Sequence, residues 1–133
     1  GVGTSSDGRF KSIYAPRAGG QKVAVDRAYD DAGFDKKTID LVEAHGTGTK
    51  AGDAAEFDGL KLAFDYDGHE QQHIALGSVK SQIGHTKTAA GSAGEIKTAL
   101  ALYHKILPAT INIDNPNSTL GIEESSFYLD TDT

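Results

Sequence analysis

The chain has 133 residues, enough for one domain with a modest core, and its 13 Lys plus Arg against 19 Asp plus Glu leave a net charge of −6, which weighs against a nucleic-acid backbone as partner. With zero cysteines it has no disulfide framework, no thiolate metal site and no thiol nucleophile of its own. No apolar run approaches the roughly 18 residues that cross a bilayer, and no basic segment leading into an apolar one opens the chain, so a soluble, cytoplasmic protein without a membrane or nucleic-acid partner is expected.

In chain order, residues 1–20 are rich in Gly, Ser and Arg and sustain no period, so a loop is predicted, with the stub of a strand at Val2. From Gln21 the spacing of Val23, Ala24, Ala28 and Ala32 predicts an amphipathic helix over 20–32, with Gly33 as its left-handed terminus. The run 39–44 predicts a strand, and residues 45–52 a glycine-rich loop. Asp53 then stands as a candidate N-cap, with Glu56 three residues on, for a helix whose Phe57, Leu60 and Phe64 form one buried stripe. Residues 65–72 predict a polar turn. Ile74, Ala75 and Leu76 form a short strand that stops at Gly77 and hands over to a polar loop. A helix rich in small residues follows, with Ala93, Ile96, Ala99, Leu100 and Tyr103 on one face, and with Ala89, Ala90, Gly91, Ala93 and Gly94 at its start leaving room for another backbone or a ligand. Ile111 and Ile113 suggest an extended piece, Asn115-Pro116-Asn117 a turn, and 126–130 a last strand. Strands alternating with amphipathic helices predict an α/β protein with a mostly parallel central sheet flanked by helices. Gly1 in place of methionine, and a predicted strand so near the end, lead us to expect that the polypeptide continues on both sides.

Two junctions where a strand runs into a loop each offer a histidine, and open α/β sheets keep their ligands at that edge. The first is His45, followed by Gly-Thr-Gly-Thr; it reads either as a site residue on a tightly turning backbone or as a turn that tolerates a histidine. The second is His85, five residues after Lys80. A cation beside the imidazole would favour the neutral ring, which donates from one nitrogen and keeps the other free, although a solvated surface lysine is the commoner case. The glycines of 46–52 lack the Gly-Lys-Ser/Thr ending of a phosphate-binding loop, since Lys50 precedes Ala51, and their spacing does not match the dinucleotide fingerprint. Zinc held by His45, His85 and a carboxylate would lack a compact ligand pair, so no metal is expected. His69, His73 and His104 read as surface residues.

The blocks 42–49 (VEAHGTGT), with Gly52-Asp53 and Glu56, and 77–86 (GSVKSQIGHT) resemble the two histidine blocks of β-ketoacyl synthases. Residues 7–16 (DGRFKSIYAP) and 52–57 (GDAAEF) are similar to the ketosynthases of polyketide-synthase-like polyunsaturated fatty acid synthases. The resemblance implies the second, C-terminal half of a thiolase-like fold, a partial ketosynthase domain over 1–133 whose parent pairs as a homodimer. The nucleophilic cysteine of the family lies in the other half. It also implies a decarboxylative Claisen condensation, with His45 and His85 donating hydrogen bonds to the malonyl thioester oxygen and Lys80 setting the local electrostatics in a pair with Glu56. Thr47 and Thr49 would bind phosphopantetheine. No cofactor is implied beyond that arm, which arrives on an acyl carrier protein bearing acyl and malonyl thioesters.

Overall fold

The structure, a computed structural model, describes residues 1–9, 15–66, 68 and 70–131. His69 lies outside the described residues, as does the central part, 10–14, of the block at 7–16. The chain separates into two compact units, Gly1–Ile39 with Gly48–Glu70, and Asp40–Thr47 with Gln71 onward.

In the first unit α1 (Ala18–Ala32) packs against α2 (Lys50–Phe64). The Tyr29 ring meets that of Phe64 edge-on, with centroids 5.8 Å apart, and the predicted stripe Phe57, Leu60 and Phe64 is buried. Gly33 closes α1 as expected, at φ +68°, with its N–H donating to Tyr29 O. Asp26 accepts from both Lys22 and Lys36. Burial alone would raise its pKa, but the two ammonium groups outweigh burial and hold its carboxyl below the ordinary value.

Two expectations for this unit are corrected. No strand forms at Val2. Residues 1–5 instead run along α1, with the Val2 N–H donating to Asp31 Oδ2 (2.9 Å) and Arg27 donating to Thr4 O (2.6 Å). The second helix begins at Lys50, earlier than Asp53, because Thr49 is its cap: the Thr49 hydroxyl accepts from the Gly52 N–H (3.2 Å). Asp53 sits in the first turn and reaches back to accept from the Gly48 N–H (3.1 Å). A threonine four residues ahead of an aspartate offers two caps, and the pair uses both oxygens on one helix start.

The second unit holds a parallel sheet, which among the described residues runs in the order β1 (Leu41–Glu43), β2 (Ile74–Gly77), β3 (Phe127–Leu129). The central β2 is buried along its whole length, as a strand covered on both faces must be, and this accounts for its unbroken apolar run. Its register pairs Leu41 with Ala75 and Glu43 with Gly77, and the Ala44 N–H donates to Gly77 O (2.7 Å). The chains therefore leave β1 and β2 side by side, and the two histidine loops begin at one sheet edge. The second loop is more ordered than predicted: Lys80–Ile83 form a single helical turn, α3, ended by Gly84 at φ +73°. The extended piece expected at 111–113 is broken by Asn112, which adopts φ +63° and donates its side-chain N–H to Ser81 O (2.8 Å).

The helix α4 (Ala90–His104) turns its small residues inward, at the close approach that they were expected to allow. Ala90, Gly94 and Ala101 are buried, whereas Ile96, Leu100 and Tyr103 are 60%, 52% and 81% exposed. The reason is how closely the helix approaches the end of β1. A methyl group added at Gly94 would stand 3.0 Å from Glu43 Cγ, so a bulky apolar residue does not fit at that position, and Ile96, Leu100 and Tyr103 lie on the other face. Leu102 and Ile106 are exposed as well. Water-facing apolar side chains on this scale promote association. The isolated chain is expected to self-associate in size-exclusion light scattering, and a monodisperse monomer would refute this.

Candidate active site

His45 follows β1 by two residues, and His85 follows the helical turn that begins at Lys80. The two imidazoles are brought together, with ring centroids 5.2 Å apart and planes at 87°. They and Lys80 line one cleft of about 350 Å³, whose walls also include Glu43, Lys87 and Gly94. Both histidines are solvent-accessible from this cleft, while Lys80 is half-buried.

The protonation of His85 follows from one contact. The Lys87 backbone N–H donates to His85 Nδ1 (3.1 Å), and a nitrogen that accepts cannot also carry a proton. The neutral ring therefore bears its hydrogen on Nε2. Partial desolvation, then the charges of Lys87, His45 and Lys80, push the pKa of His85 below its ordinary 6.5. Lys80 is the cation that the sequence suggests for this ring. Lys87, which nothing in the sequence singled out, contributes more.

Of the other predicted residues, Thr47 lies half-buried in the loop after β1, Thr49 caps α2, and Glu56 is half-buried on α2 in the first unit. His73 is half-buried, with its backbone N–H donating to Ser126 O (2.9 Å), and His104 is exposed at the end of α4 beside Tyr103. Among the described residues no three His, Asp or Glu side chains converge as metal ligands.

Sequence reasoning passed over Glu43 and Lys97. The Glu43 carboxylate accepts from Lys97 Nζ (2.8 Å) and from the Val79 backbone N–H (2.6 Å) beside the cleft. The available signal was a carboxylate at the end of a short strand, two residues before the histidine.

Two hydrogen-bond donors on adjacent loops at the carboxyl edge of a parallel sheet make this a site suited to an oxygen that gains negative charge. Likeness to solved structures defines the class. The chain superposes on the ketosynthase from module 1 of the bacillaene synthase of Bacillus amyloliquefaciens with a TM-score of 0.93 and 40% identity, covering 99% of this chain and 24% of that one. The fold is thus the α/β, thiolase-like fold of ketosynthases. Residues 1–114 match the β-ketoacyl synthase C-terminal domain, and the chain belongs to that family. It is 48% identical to a component of the polyunsaturated fatty acid synthase of Thraustochytrium sp. (98% of this chain, 5% of that protein). It is 42% identical to the polyketide synthase PksN of Bacillus subtilis (97% and 2%). The chain therefore spans a twentieth or less of these two curated relatives and about a quarter of the solved ketosynthase.

Proposed function

We propose that this chain is the C-terminal half of a β-ketoacyl-carrier-protein synthase, working in fatty acid or polyketide assembly as part of a cytoplasmic homodimer. In the complete enzyme an acyl group passes from a carrier-protein thiol to a cysteine outside these residues. Malonyl-carrier protein then loses carbon dioxide, and the electron pair of the broken C–C bond forms a thioester enolate. The enolate carbon attacks the acyl-cysteine carbonyl, and the cysteine thiolate leaves. His45 and His85 each donate a hydrogen bond to the enolate oxygen. Lys80, paired with Glu56, sets the local electrostatics and favours the neutral ring of His85, and Thr47 and Thr49 bind the amide chain of phosphopantetheine.

The observation that carries this reading is the close placement of the two rings, with the Nδ1 of His85 occupied by the Lys87 N–H so that its Nε2–H is the donor. Donors held in place before charge develops lower the barrier without reorganising. With zero cysteines the chain alone has nothing to acylate and is expected to be inactive. A second reading is a non-catalytic module that binds carrier protein or a partner subunit through this half-fold. The two separate when the complete polypeptide is given acyl- and malonyl-carrier protein: formation of a β-ketoacyl product supports the synthase, and carrier binding without acylation or decarboxylation supports the module.

The rate should also respond to pH. Protonation of His85 places a hydrogen on Nδ1 and breaks the bond from Lys87 N–H, so the neutral ring is the working form. Its pKa is depressed, so malonyl decarboxylation should hold as pH falls through 6.5 and decline only as the lower value is crossed. Lys87→Gln keeps the backbone N–H and removes a charge that opposes protonation, so the acid limb should move up toward 6.5. A limb that stays put or moves down in the pH–kcat profile would refute this.

A further inference from the structure

The Glu43–Lys97 pair lies at the root of the cleft, and none of the roles proposed above uses it. Its side chains are only 12% and 9% exposed. Charges so far out of water are costly unless their hydrogen bonds are met. Here both carboxylate oxygens are used, and by different elements: Oε2 accepts from Lys97 Nζ on α4, and Oε1 accepts from the Val79 N–H (2.6 Å). Gly94 leaves the room, since a methyl group there would stand 3.0 Å from Glu43 Cγ. The carboxylate thus joins three pieces of chain. Its own backbone leads to His45 two residues on, Val79 leads directly into Lys80 and the loop of His85, and α4 forms a wall of the cleft.

We infer that Glu43, held by Lys97, is a positioning residue that sets the spacing of His45 against His85 through its bond to the Val79 N–H. The inference rests on the ketosynthase reading above and deepens it. Lys97 acts at one remove: its ammonium orients the carboxylate so that Oε1, and not solvent, meets the Val79 N–H. The β1–β2 pairing ends at Ala44 and Gly77, short of both rings. Beyond that point this carboxylate joins the strand of His45 to the turn of Lys80 through the Val79 N–H.

The test is made in the complete ketosynthase with paired substitutions that leave no lone buried charge. Glu43→Gln/Lys97→Met keeps an oxygen to accept from Val79, and Glu43→Leu/Lys97→Met does not. Misplacement of donors by about 1 Å costs on the order of 10²-fold, so the leucine pair should lose that much in kcat for malonyl decarboxylation. Its KM and the acylation of the cysteine should stay near wild type, and the glutamine pair should restore most of the rate. Equal decarboxylation by both pairs overturns the inference, as does a leucine pair that loses acylation and decarboxylation together, which marks a purely structural role. Should either pair fail to reach the wild-type unfolding temperature, Glu43→Asp carries the test, because it keeps both charges and shortens the arm by one methylene. Slowed decarboxylation with intact acylation then supports the inference, and an unchanged rate overturns it. His45→Ala serves as the reference. If it too leaves decarboxylation unchanged, the site reading itself fails, whereas a large His45→Ala effect beside an indifferent leucine pair removes only the positioning role.

Discussion

Alanine at His45 or at His85 in the complete ketosynthase is expected to lower malonyl decarboxylation by about 10²–10³-fold, the cost of removing one preorganised donor from a developing oxyanion. Acylation of the cysteine should survive both substitutions, because the nucleophile is not among these residues. The effects should not add. The two imidazoles lie 5.2 Å apart and act on one oxygen, so the double variant should be little worse than the poorer single one. Decarboxylation and acylation are followed separately, by carbon dioxide release and by intact-protein mass. If decarboxylation persists in both variants, the histidines do not act on the malonyl oxygen.

Gly46→Ala should be the most damaging small substitution in the loop after β1. Gly46 adopts φ +48°, which costs a residue bearing a Cβ about 1–2 kcal/mol. The new methyl would also stand 2.7 Å from Ser78 Cβ and 2.9 Å from Ser78 Oγ, and Ser78 is itself buried at the end of β2. Crowding of that kind adds to the strain, for a total of about 2–4 kcal/mol. Because the clash lies between His45 and the chain that leads to Lys80, it should also push the two histidine loops apart and slow decarboxylation on the order of 10²-fold. Gly48→Ala is the control. Gly48 has φ +74° and open space around it, so only the backbone cost of about 1–2 kcal/mol applies. Urea unfolding compares the two, and equal losses would mean that the Ser78 contact is unimportant.

The positions of the main elements were legible in the residues because local rules decide them. The apolar run of β2, the stripe of Phe57, Leu60 and Phe64 on α2, and Gly33 at the end of α1 follow from period and backbone preference alone. So did the two histidine junctions, since a glycine-rich turn at a strand end is a local event. At the start of α2 the residues offer two caps, and the choice between them is settled only by which hydroxyl or carboxylate meets which N–H.

What lay beyond local pattern depends on which pieces of chain meet. The residues of α4 show an apolar face, but whether that face turns inward depends on how near the helix comes to Glu43, and at Gly94 the distance leaves no room for isoleucine or leucine. The same holds for charge. Glu43 and Lys97 are 54 residues apart, and only the parallel register of β1 on β2, with α4 laid across the end, brings carboxylate, ammonium and the Val79 N–H together. Element order, the strand ends and the two imidazoles are thus written in the residues themselves. The tautomer of His85 and the partner of Glu43 come from the folded chain, because a hydrogen bond forms between atoms within about 3 Å of each other, and no local pattern specifies a distance across the fold.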